Sequence, residues 1–126
     1  MTLVRFLRDR SGVAAVEFVM LSPVAFGLLF AIIDAGFLIF TQVGLEHAVE
    51  SAARCSAINS TVCGTASSIK SYAVTQAYGL AISSGAFSYV QTSCGNVVSA
   101  SYTYTYFSSS FLTASIPLTA QACFPT

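Results

Sequence analysis

The run from Val13 to Phe40 constrains this chain more than any other feature. It reads VAAVEFVMLSPVAFGLLFAIIDAGFLIF, and Glu17 and Asp34 are its only charges. A helix crosses the hydrocarbon core of a bilayer with about 20 apolar residues, so this segment is long enough to span. Arg5, Arg8 and Arg10 precede it, and no lysine or arginine follows until Arg54. The positive-inside rule therefore places the N-terminus in the cytoplasm and the remainder outside. A secretory signal peptide has a shorter apolar core, about 7 to 15 residues, closed by a small-x-small cleavage site. Here the nearest later pair, Ser51 and Ala53, lies well beyond the run.

Charge excludes several functions. The 126 residues carry 5 Lys+Arg against 5 Asp+Glu, only 8% of the chain. There is no basic patch to neutralise phosphates, which argues against a nucleic-acid partner. A single histidine, His47, argues against a histidine metal site or a serine-hydrolase triad. His47 is expected on the surface, without chemistry. Glu17 and Asp34 lie about 25 Å apart along a helix and about 100° apart around it, so they are not a catalytic pair. The sequence implies neither an enzyme nor a cofactor.

Two features inside the run need partners. Pro23 lacks an N–H and would kink the helix, a break that membrane helices tolerate when neighbours satisfy the freed carbonyl. Glu17 lies five residues into the run, where insertion of a central acid costs about 2.5 to 3.5 kcal/mol. Cleavage after Gly12 would place a new α-amino group on Val13, about one helical turn from that carboxylate. Snorkelling of Glu17 to the headgroups is the alternative. Asp34 is expected either at the outer interface or at an intersubunit contact.

The string RDRSGVAAVEF, followed by a helix containing Pro23 and then IIDAGF, resembles the TadE-like pseudopilins of the tight-adherence (Tad, or Flp) pilus system. Gly12, Val13, Glu17 and Phe18 match that family's processing motif position by position. The resemblance implies cleavage after Gly12 by a prepilin peptidase. The mature helix then serves as membrane anchor and packing stem, with Glu17, Pro23 and Asp34 as its polar or kinked contacts. It also implies that the partners are other Tad pilins or pseudopilins, inner-membrane assembly proteins and membrane lipid. The head would be periplasmic, or extracellular within a pilus. Two alternatives stand beside this reading: a single-pass membrane protein with an external ligand-binding domain, and a secreted disulfide-rich protein.

Beyond Phe40 the helical pattern continues through TQVGLEHAVESAARCSA, with Val43, Ala48, Ser51 and Ala52 expected on one side. Helix from Val13 to Arg54 would extend about 63 Å. Gly27, Gly36 and Gly44 leave one flank small enough for close approach of a neighbouring helix.

Cys55, Cys63, Cys94 and Cys123 all follow the proposed span, an even number in a compartment where disulfides persist. Four cysteines allow three connectivities. Cys55–Cys63 with Cys94–Cys123 is favoured, the first closing the loop after the stem and the second tying a strand to the tail, although spacing alone does not decide it. Without paired C-x₂-C knuckles, a zinc site is disfavoured. Ile69, Tyr72, Ala73, Gln76 and Ala77 predict a short helix ended by Gly79. AFSYVQ and VVSASYTYTYF alternate with period two and predict strands. FLTASIPLTAQACF predicts a third strand or strand pair, with Pro117 at an edge or break. Tyr102, Tyr104 and Tyr106 are expected to pack on the sheet rather than bind a ligand. The expected fold class is α+β: a leader over 1–12, a transmembrane and stem helix over 13–54, and a small disulfide-bonded head over 55–126 with a short helix and an antiparallel sheet.

Overall fold

The computed structural model describes residues 11–106 and 115–125. Its order is helix α1 (Ser11–Ile58), helix α2 (Ala66–Gln76), a single 3-10 turn (Ser84–Ala86), and strands β1 (Phe87–Thr92), β2 (Gly95–Thr105) and β3 (Ser115–Phe124). The fold is α+β with a long apolar N-terminal helix. The chain divides into two compact units between Ala35 and Gly36.

In the first unit the chain is helical from Ser11 onward. Apart from Ser22 and Asp34, its side chains from Gly12 to Ala35 are exposed.

In the second unit, one face of α1 enters a core. Leu45, Ala48, Val49, Ala52 and Ala53 are buried, following the three- and four-residue spacing that brings side chains to one side of a helix. Val43 is 52% exposed. It was expected on this face, but Leu45, two positions on and about 200° around the helix, takes the core position instead. Gly44 is also on the packed side: a Cβ added there would come within 2.7 Å of Leu80 Cδ1. Its smallness accommodates the chain that follows α2, not a neighbouring helix as the glycine spacing had suggested.

The loop after α1 is closed by the Cys55–Cys63 disulfide. Helix α2 then starts with a reciprocal cap. The Ser68 N–H donates to Thr65 Oγ1 at 3.2 Å, and the Thr65 N–H donates to Ser68 Oγ at 3.1 Å. Such pairing satisfies two N–H groups that the first helical turn cannot. The helix contributes Ile69 and Ala73 to the core, and Ala77 follows at its C-cap. Tyr78 (φ 51°) and Gly79 (φ 75°) adopt left-handed backbone and turn the chain away.

The sheet has order β1-β2-β3 and is antiparallel throughout, with Phe87 opposite Ala100 and Ala100 opposite Ala120. The period-two alternation sorts its faces. Phe87, Val98, Ala100, Leu118 and Ala120 are buried on the core side, with Tyr89, Tyr102 and Tyr104 partly buried against them. Ser88, Ser99, Ser101, Thr119 and Gln121 occupy the opposite face and line an open groove of about 430 Å³. Ser88 and Ser99 are hydrogen-bonded across it at 2.7 Å.

The FLTASIPLTAQACF run contributes a single strand over its described residues, Ser115–Phe124. Gln42 Nε2 donates to the Thr119 carbonyl at 3.2 Å, which marks the backbone of Thr119 as facing the free edge of β3. Pro117 has the same parity, so its missing N–H falls on that edge and removes no ladder bond. Gly95 (φ 130°) closes the β1–β2 hairpin, and a Cβ there would meet the Phe124 carbonyl. Cys94 in this turn is bonded to Cys123 near the end of β3.

Candidate membrane-anchoring and processing segment

The first unit is built almost entirely of side chains that water rejects. Val13, Phe18 and Met20 are 65%, 68% and 76% exposed. A large side chain of this kind gains about 1.5 to 3 kcal/mol on leaving water, so a helix that displays them in succession is built for lipid or for other helices. By length and composition this helix qualifies to cross a membrane.

Gly12 and Val13 lie in the first described turn, and Ser11 is the first described residue of the helix. Four residues after Val13, on the same face, stands Glu17. Its carboxylate is exposed, and Phe18 beside it is also exposed. Pro23 lies inside the helix and withholds the N–H that would reach the Val19 carbonyl. One side of the helix near it forms an open apolar groove of about 680 Å³ lined by Leu21, Val24, Leu28, Leu29, Ile32 and Ile33. These residues recur at three- and four-residue steps, the spacing of a single helical stripe.

Asp34 differs from Glu17 in its surroundings: it is only 5% exposed and is engaged by other groups. Thr41 is likewise buried. Its hydroxyl donates to the Phe37 carbonyl at 2.8 Å, so it costs the helix no unsatisfied polar group. Gly12, Gly27 and Gly36 would each accept a Cβ without contact within 4 Å.

The sequence reading missed the role of His47. It is half-buried, stacked on Tyr78 with ring centroids 4.6 Å apart, and its Nδ1 lies 3.1 Å from the Gln76 carbonyl. A carbonyl only accepts, so Nδ1 carries the proton in this contact. His47 therefore fastens α1 to the end of α2 and is not a solvent-facing side chain. The pairing spans 29 residues of sequence, beyond the reach of any local pattern.

The described residues include no group of three His, Cys, Asp or Glu side chains placed to hold a metal ion. What the segment offers is an apolar helix with a glycine in its first described turn, a carboxylate about one turn further and a proline a further turn and a half along.

Residues 12–54 match the TadE-like protein family. The match begins on Gly12 and ends on Arg54, within α1. It thus covers the exposed apolar helix and the part of α1 that enters the core, and it stops short of α2 and the sheet. No curated protein and no solved structure matches the chain.

Proposed function

We propose that this chain is a minor pilin or pseudopilin that takes part in assembling or priming a Tad-type pilus used for surface adherence. In this reading it is inserted with its basic leader in the cytoplasm and cut after Gly12 by a prepilin peptidase. The TadE-like helix then holds it in the bacterial inner membrane, with the head in the periplasm. Residues 1–12 are the leader, 13–54 the transmembrane and stem helix, and 55–126 the head. The protein's part is structural rather than enzymatic, and the cutting chemistry belongs to the peptidase.

One observation carries the proposal. The family match starts at Gly12, and from there the helix presents an almost unbroken exposed apolar surface with its carboxylate at Glu17. A carboxylate in that position costs several kcal/mol unless it is paired. The amine released on Val13 would be its partner, within one helix or across two packed helices. The stripe from Leu21 to Ile33 and the kink site at Pro23 are the surface on which neighbouring stems would pack.

Mass spectrometry of the N-terminus of protein taken from its native membrane tests the proposal. A mature chain starting at Val13 is the expected result. Intact Met1 would favour the single-pass receptor alternative, and a start beyond Phe40 the secreted one; either rejects the pilin reading. Gly12→Trp should abolish the cut and leave the leader attached.

A further inference from the structure

Asn59, Ser60 and Thr61 form an N-x-T acceptor sequence immediately after α1, inside the loop closed by Cys55 and Cys63. All three residues are exposed. The geometry points to Asn59 as a site of N-linked glycosylation, with a lipid-pyrophosphate-linked oligosaccharide as the donor.

The local hydrogen bonds set the carboxamide for this chemistry. The Asn59 N–H donates to the Cys55 carbonyl at 2.8 Å, and its own carbonyl accepts from the Cys63 N–H at 2.9 Å, so the backbone is satisfied. Its side chain accepts from the Val62 N–H at 3.2 Å. Because the donor is an N–H, the accepting atom must be Oδ1 and not the amide nitrogen. Nδ2, the atom that is glycosylated, is left on the solvent side without a partner among the described residues. Asn96, the only other asparagine, makes the contrast. It is followed by two valines, is 2% exposed, and accepts from Tyr89 Oη and Gln91 Nε2.

In the step itself Nδ2 attacks C1 of the first sugar. The N–C1 bond forms and the C1–O bond to the pyrophosphate breaks. The lipid pyrophosphate departs with the electron pair, and one amide proton passes to a base of the transferase. Thr61 supplies the hydroxyl by which the acceptor is recognised. The inference rests on the head being exported, since such donors are used on the outer side of the membrane. With the span ending at Phe40, the helix rises about 27 Å from there to Ile58, enough to hold the acceptor clear of the headgroups.

Trypsin cuts after Arg54 and Lys70, so one peptide from the native protein contains the acceptor and the Cys55–Cys63 pair together. Electron-transfer fragmentation of that peptide should place a saccharide mass on Asn59. Asn59→Gln and Thr61→Ala should each remove it, and Thr61→Ser should retain it. A peptide found only at its unmodified mass, or a saccharide that survives in Asn59→Gln, would overturn the proposal. The cysteines tell which premise failed: a bridged but unmodified peptide leaves export standing, whereas free thiols bring it down as well.

Discussion

Helix α1 meets two environments along its length. From Gly12 to Phe40 it displays Phe18, Met20, Leu28 and Ile32 to the surroundings, and from Leu45 to Ala53 it buries nearly everything apolar that it carries. Both stretches carry small and aliphatic residues, and although the second also carries Glu46, His47 and Glu50, its apolar side chains are of the same kind as those of the first. What separates them is whether the same chain supplies a partner. The second stretch finds Ile69 and Ala73 of α2 and the sheet residues Phe87, Val98 and Leu118 in its own core. The first has the stripe from Leu21 to Ile33 open. An apolar helix surface exposed in this way suits lipid or a neighbouring helix.

The sharpest way to break this contrast is to truncate one large side chain in each region. Phe87 is 1% exposed and Phe26 is 55% exposed. Phe87→Ala should lower the stability of the head by about 3 to 5 kcal/mol, the usual cost of an aromatic-sized cavity. Phe26→Ala should leave it within about 0.5 kcal/mol. The urea midpoint of detergent-solubilised full-length protein measures both. Equal effects would mean that the two stretches of α1 do not differ as described.

The disulfides sharpen the same comparison within the head. Cys94 and Cys123 are 29 residues apart and Cys55 and Cys63 are 8 apart. On the chain-entropy account, the longer loop is restrained more in the unfolded state. Replacing both Cys94 and Cys123 by serine should cost about 3 to 4 kcal/mol, and the same change at Cys55 and Cys63 about 2 to 3 kcal/mol. Denaturation of the two double variants side by side gives the order, and a reversed order would show that native-state packing around Cys63, which is buried, outweighs loop entropy.

The smallest expected effect separates the glycines. Gly→Ala inside a helix gains about 1 kcal/mol from propensity. At Gly44 the new methyl presses on Leu80, which offsets that gain and should leave the head less stable by about 1 kcal/mol. At Gly27 nothing lies within 4 Å, and head stability should not change. Thermal unfolding followed by near-ultraviolet circular dichroism distinguishes the two.

Much of the head was legible because its signals are local. The alternation of Val98, Ala100, Tyr102 and Tyr104 with serine and threonine announces a strand with one buried face, and the structure buries that face. Gly79 and its positive φ likewise follow from the residue itself. The roles of His47 and Gly44 were not legible. Each depends on α2 or the chain just after it returning to α1, through Gln76 and Leu80 respectively, contacts too distant in sequence to leave a periodic trace. The choice of Leu45 over Val43 for the core has the same origin, because both suit a helix face and only the position of the partner elements selects between them.

Contiguous residues alone establish that the chain carries a helix able to span a bilayer, led by basic residues and the Gly12-to-Phe18 motif, because hydropathy, charge order and motif spacing are read along the chain. They also give four cysteines after that helix and a period-two strand pattern, while leaving one strand or a strand pair open at FLTASIPLTAQACF. Contacts across the fold settle where α1 stops facing outward and becomes core, which cysteines meet, and what His47 holds. Those outcomes depend on closing loops and matching surfaces across the chain, and a residue's neighbours in sequence do not record its neighbours in space.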